Sequence, residues 1–133
     1  MPLEPVTQKF IDGLADSVPV YTLEPHVARK GLAELQSTPV AVHPADITDT
    51  SFPVGPTGTT SIRIVRPKEA TDRLPVLMYF HGGGWVLGNR VTHDRLVREL
   101  ADGIRATVVF VDYVNAPEAK YPTQNEQAYS AMQ

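Results

Sequence analysis

Four glycines and a histidine stand within eight residues, HGGGWVLG at 81–88. Ordering three consecutive glycines is costly, because each loses more backbone freedom on folding than any other residue. A bare backbone offers in return the close approach of main-chain N–H groups to a ligand. A helix starting just beyond adds a field that favours negative charge. The segment therefore reads as an anion site built from amides. Two anions fit that description: a stable phosphate, and the short-lived oxyanion of acyl transfer.

The phosphate templates can be checked letter by letter. A dinucleotide fingerprint needs glycine at the first, third and sixth positions. From Gly82 the sixth position is Leu87, and from Gly83 the third is Trp85, so both registers fail. A phosphate loop needs two glycines five apart, then Lys and Ser or Thr. Gly83 and Gly88 have the spacing, but Asn89 and Arg90 follow, without the lysine or the metal-binding hydroxyl. A nucleotide- or phosphate-binding α/β domain is the weakest of the readings considered.

The elements around the loop must hold it in place. PVLMYF at 75–80 and ATVVFVDY at 106–113 are almost continuously apolar. Strands covered on both faces by helices read this way. Both are expected in the middle of a parallel sheet. Between them, Leu96, Val97, Leu100, Ala101 and Ile104 recur at helical spacing over 90–103. Asn89 or Thr92 can cap that helix, Asp94 suits its first turn, and Gly103 can end it in a left-handed conformation. Strand, glycine loop, helix and strand make a crossover unit. In open α/β sheets, ligands bind at the carboxyl ends of such strands.

Upstream, TTSIRIVR at 59–66 alternates as a half-buried strand, GPTG at 55–58 reads as a turn, and 46–52 is its extended partner. Two N-terminal helices are expected. Residues 3–17 place Val6, Phe10 and Leu14 on one face, and residues 24–36 do so with Val27, Leu32 and Leu35. A last helix begins at 123, with Ala128, Ala131 and Met132 facing one side.

Composition narrows the classes. Hydrophobic residues are 42% and charged residues 20% of 133, the balance of a folded domain. The net charge of −3 argues against a nucleic-acid binder. No apolar run approaches the ~20 residues of a membrane span. No apolar signal core follows MPLEPVTQKF, so a cytoplasmic location is expected. There is no cysteine, which excludes disulfides, thiolate metal sites and a cysteine nucleophile. No cofactor or metal is expected.

Several stretches together resemble the hormone-sensitive-lipase type of α/β-hydrolase, the microbial carboxylesterase group. They are YFHGGGW at 79–85, HDRLVRELA at 93–101 and VDYVNAPEAKYPTQNEQAYSAM at 111–132. The resemblance implies the N-terminal part of an α/β-hydrolase fold: an antiparallel hairpin leading into a parallel sheet, with cap helices at 1–40 and an incomplete core at 41–133. It implies that the N–H groups of Gly83 and Gly84 face a developing oxyanion. Gly82 shapes the turn, His81 organises the loop, and Trp85 walls the substrate pocket. Asp112 and Glu118 are expected to hold the turn after the strand. His93 and Asp94 are neighbours on a helix and cannot face each other as a dyad. The group usually carries Arg-Leu where Val114 and Asn115 stand here, so an ion pair made by that arginine is absent.

Oxyanion donors alone do not cleave an ester; a nucleophile, a base and an orienting acid are needed. In this fold the nucleophile lies in G-x-S-x-G. Ser17, Ser37, Ser51, Ser61 and Ser130 all lack flanking glycines at those positions. The expected function is thus the oxyanion-hole and cap segment of a serine carboxylesterase for short or medium acyl esters. Nucleophile, acid and catalytic histidine lie outside the chain, and the chain alone is expected to be inactive. An open sheet of this kind needs a partner: the C-terminal remainder of the hydrolase, or self-association. The alternative is a non-catalytic interaction module that retains the loop.

Overall fold

The two apolar runs take different places in the sheet. A computed structural model describes residues 2–133 and contains one four-stranded sheet in the order β1-β2-β4-β3. Its strands are β1 (Ala45–Phe52), β2 (Thr60–Pro67), β3 (Val76–Phe80) and β4 (Thr107–Asp112). β4 lies between two neighbours, and Val108, Phe110 and Val111 on it are fully buried. β3 pairs with β4 on one side only among the described residues, and Val76 and Phe80 are exposed. β4 is the interior strand, and the open edge at β3 is the one an incomplete sheet is expected to leave. An apolar run reports a strand meant to be covered, but not which flank lacks its cover.

β1 and β2 pair antiparallel, β2 and β4 antiparallel, and β3 and β4 parallel. The hairpin therefore leads into a parallel unit, as expected. The twofold period of the strands sends side chains to opposite faces. On one face Val65, Val108 and Phe110 pack against Val97 and Ala101 of α3 (Asp94–Gly103). On the other, Ile62, Val111 and Tyr113 form a second cluster with Ala131 against it. That residue caps α4 (Thr123–Ser130). α3 thus covers one face of the sheet, and the C-terminal end of α4 touches the other.

α3 differs from its expected form at both ends. Asn89 Oδ1 accepts from the N–H groups of Val91 (2.8 Å) and Thr92 (3.0 Å), and Thr92 Oγ1 accepts from Asn89 N–H. These bonds cap the turn before the helix, which itself starts at Asp94 behind His93. At the other end the left-handed residue is Arg105, at φ 49°, rather than Gly103. Ile104 and Leu96 are exposed, so the buried stripe is Val97 and Ala101. α4 buries Gln124 and Gln127 rather than the expected apolar face, and Met132 is exposed. The reason is backbone accounting. Gln127 accepts from Val114 N–H and donates to Thr57 and Thr59, while Gln124 donates to the carbonyls of Val114 and Ala119.

The N-terminal helices are shorter than expected. α1 (Pro5–Asp12) is capped by Glu4, which accepts from the N–H groups of Val6 and Thr7, and it buries no residue. A short 3-10 helix (Val20–Thr22) leads to α2 (Pro25–Leu35). The expected face of α2 is not the buried one: Val27 and Leu35 are exposed, and Ala28 is buried. Prolines at the first turn of both helices fit their fixed φ and missing N–H.

Candidate functional site

β3 delivers the chain at Phe80 to the carboxyl end of the parallel pair, where the glycine loop begins. Gly83 has φ 120° and Gly84 φ 60°, followed by Trp85 at φ 59°. The carbonyl of Gly83 accepts from Val86 N–H (3.1 Å) and Leu87 N–H (2.9 Å), closing a tight turn. Gly83 has no alternative: a Cβ there would stand 2.2 Å from the Leu87 carbonyl oxygen. Gly82 has an ordinary φ, and a Cβ on it would meet nothing within 4 Å. Among the described residues, no protein acceptor meets the N–H groups of Gly82, Gly83, Gly84 or Trp85. A run of adjacent main-chain donors, Gly83 and Gly84 among them, is left open for something else.

His81 supports the loop from below. It is buried, stacked at 4.2 Å on Tyr113 and at 5.2 Å on Phe110, and tilted against His93. Its Nδ1 lies 2.8 Å from the Gly82 carbonyl, so Nδ1 carries the proton of a neutral ring and donates. Tyr113 donates its hydroxyl proton to the His81 carbonyl at 2.5 Å. Burial pushes the His81 pKa down, against the raising effect of the Gly82 carbonyl. Its Nε2 is buried with no partner among the described residues. Gly88, at φ 88°, makes room for this ring, since a Cβ there would lie 2.8 Å from His81 Nδ1.

Clefts open on three sides of the loop. One of about 460 Å³ runs between Phe80, Trp85, Tyr113 and Met132. One of about 340 Å³ separates Gly83 and Gly84 from Val20, Tyr21 and Ala28 of the N-terminal segment. A third, of about 570 Å³, lies between Gly82, Leu87, His93 and Leu32. Trp85 is exposed on the rim of the first.

Of the two acidic residues expected to hold the turn after β4, Glu118 is bonded there, while Asp112 ties the strand end to Arg90 ahead of α3. Asp112 accepts from Arg90 N–H and pairs with Arg90 Nε at 3.1 Å. Glu118 takes a two-pronged bond from Arg29 at 2.7 and 2.8 Å. Arg29, on α2, also donates to the carbonyls of Val86 and Ala116, each at 2.7 Å. Arg29 and Tyr113 were not marked by sequence reasoning. Arg29 lies 57 and 87 residues from those two carbonyls, beyond any local pattern. At the departure from the group's usual residues, Asn115 donates to the Gly88 carbonyl at 3.0 Å. His93 and Asp94 do not form a dyad: His93 faces His81, while Asp94 pairs with Arg63 and Arg98. No group of three or more metal-ligating side chains gathers among the described residues, and no helix is long and apolar enough to cross a membrane.

The Arg29 guanidinium lowers the Glu118 carboxyl from its ordinary 4.5 to about 2. A depressed carboxylate stabilises the fold above its unfolded pKa, and that contribution is lost as pH falls through the folded value. Acid destabilisation is therefore expected between pH about 4.5 and 2, and it should shrink in Glu118→Gln. Urea midpoints across that window check it; parallel curves for the two proteins would refute it.

An α/β hydrolase fold model matches residues 77–133. The carboxylesterase NlhH of Mycobacterium tuberculosis is 41% identical over 80% of this chain and 33% of its own length. An esterase of Gibberella moniliformis is 38% identical over 98% of this chain and 41% of its own. Among solved structures, a thermostable esterase from Pseudomonas putida superposes with a TM-score of 0.92 at 38% identity, covering 98% of this chain and 42% of that one. The esterase of Pyrobaculum calidifontis does so with a TM-score of 0.85 at 34% identity, covering 98% and 42%. The chain thus spans about two fifths or less of the length of these relatives.

Proposed function

We propose that the chain belongs with the α/β hydrolases of the hormone-sensitive-lipase type, carries part of their fold, and supplies the cap and the oxyanion donors of a serine carboxylesterase. The observation that carries this reading is the run of unpartnered N–H groups from Gly82 to Trp85, Gly83 and Gly84 at its centre, at the carboxyl end of β3. A serine in the remaining part of the hydrolase attacks an ester carbonyl, and the carbonyl oxygen gains negative charge. Gly83 and Gly84 donate to it, and a third donor follows the nucleophile. Each donor of this kind contributes roughly 2.7–4 kcal/mol to the transition state.

Collapse of the tetrahedral species expels the alcohol and leaves an acyl-enzyme, which water then cleaves. His81 stays neutral and orders the loop, since its ring is buried and its proton is committed to Gly82. Residues 1–40 act as the cap, and the cleft between Val20, Tyr21 and Gly84 takes part of a short or medium acyl ester. Trp85 walls the neighbouring cleft. The exposed flank of β3 is where the rest of the hydrolase, or a second copy, would cover the sheet.

The complete gene product is expected to turn over p-nitrophenyl acetate and to be silenced by an organophosphate, while residues 1–133 alone show no turnover. A complete protein without ester hydrolysis would sink this reading and leave the non-catalytic module. Turnover by the 133-residue chain alone would place the nucleophile inside it, against the sequence.

A further inference from the structure

Arg29 makes an unusual set of contacts for a residue on a peripheral helix. One guanidinium reaches the Val86 carbonyl in the glycine loop, the Ala116 carbonyl in the turn after β4, and both oxygens of Glu118. The bonded groups are themselves linked. Ala116 N–H donates to the Trp85 carbonyl at 2.7 Å, and Val86 N–H donates to the Gly83 carbonyl. Arg29 therefore grips the loop directly at Val86 and indirectly, through Ala116, at Trp85. Between those grips and β3 lie Gly83 and Gly84.

The loop needs such fixing. Gly83, Gly84 and Trp85 all have positive φ; glycine adopts it freely, but a tryptophan persists there only where its surroundings hold it. Tyr113 and His81 hold the β3 side, and Arg29 holds the far side. α2 itself buries only Ala28, so its attachment to the sheet domain depends heavily on this one side chain. The planar fork of arginine serves three acceptors in fixed directions, which a lysine ammonium cannot reproduce.

We propose that Arg29 is a positioning residue that couples the cap to the oxyanion donors, so that its loss slows acyl transfer more than it weakens substrate binding. This inference rests on the esterase reading above for its kinetic consequence, but its structural part does not. A cap displaced from the sheet domain would withdraw Arg29 from Val86 and Ala116 and loosen the loop. Cap docking and donor alignment are then one event.

The test uses the complete protein carrying Arg29→Met, Arg29→Lys and Glu118→Gln. Arg29→Met is expected to lower kcat roughly 10- to 100-fold while KM stays within about threefold, because misplaced donors act on the transition state. Lysine should restore little, and guanidinium ion at concentrations too low to denature should restore part of kcat in Arg29→Met. Retained kcat, or a loss that merely tracks the unfolded fraction and ignores guanidinium, would overturn the proposal. Amide hydrogen exchange at Leu87 and Ala116 reads the same latch without substrate. It should speed up in Arg29→Met while β4 amides stay protected, and unchanged exchange would overturn the latch even in an active esterase. If the wild-type protein hydrolyses no ester, the exchange result stands alone and the esterase reading fails separately. Should Arg29→Met not fold, Glu118→Gln loosens the same fork at an exposed site, with a several-fold fall in kcat expected and no change in kcat contradicting the proposal.

Discussion

Gly83→Ala in the complete protein is expected to lower kcat/KM for p-nitrophenyl acetate by roughly 10²–10³-fold, the usual cost of losing one oxyanion donor. The reason is local and steric. An alanine Cβ would lie 2.2 Å from the Leu87 carbonyl oxygen and 2.7 Å from its carbon, both rigid backbone atoms. The φ of 120° is also one that a side chain rarely adopts. The turn must open, releasing the bonds from Val86 and Leu87 N–H to the Gly83 carbonyl and turning the Gly83 and Gly84 donors away. Strain of this kind costs about 1–3 kcal/mol, small against a fold whose core lies elsewhere. Activity should therefore fall far more than stability. The neighbours calibrate the effect. Gly84→Ala meets only a left-handed φ and open space, a penalty of about 1–2 kcal/mol. Gly82→Ala meets open space at an ordinary φ, and its unfolding midpoint should barely move. Equal kinetic losses at 82 and 83 would show that the turn geometry is not what matters.

Phe110→Ala is expected to be the most damaging core substitution, at about 3–5 kcal/mol. Phe110 is fully buried at the centre of β4 and packs with Val65, Val97, Ala101 and Val108. Its ring also stacks on Tyr79 at 5.8 Å and on His81 at 5.2 Å, nearly parallel to the latter. Truncation would remove the wall of the sheet core and the floor under the histidine that orders the loop. With typical domain stabilities of about 5–15 kcal/mol, such a loss approaches global unfolding. Urea unfolding of the complete protein measures it. A loss below about 1 kcal/mol would mean that the site relaxes and that Phe110 is not the keystone its burial indicates.

The legible part of this molecule was what periodicity and glycine report. Alternation in TTSIRIVR marked β2, and the apolar runs marked β3 and β4. The three glycines marked a loop at a strand's carboxyl end, and positive φ at Gly83 and Gly84 accounts for two of them. Polar packing was not legible. Gln124 and Gln127 are buried because orphaned backbone groups around Val114 need them, which no hydrophobic pattern records. Arg29 was invisible because its acceptors come from segments far along the chain. The N-terminal helices were seen, but not their faces: α1 shows Val6 and Phe10 to solvent, and Leu14, beyond its end, is exposed as well. An amphipathic pattern says that a face wants cover, and says nothing of where the cover comes from.

The central claim is that Gly83 and Gly84 donate to the oxyanion. The most direct measurement is a crystal structure of the complete protein after reaction with a phosphonate ester, whose phosphoryl oxygen stands where the oxyanion would. The account predicts that oxygen within about 2.7–3.1 Å of both the Gly83 and the Gly84 nitrogens. A phosphonate whose oxygen turns away from the 82–84 backbone and is held by other donors would contradict it.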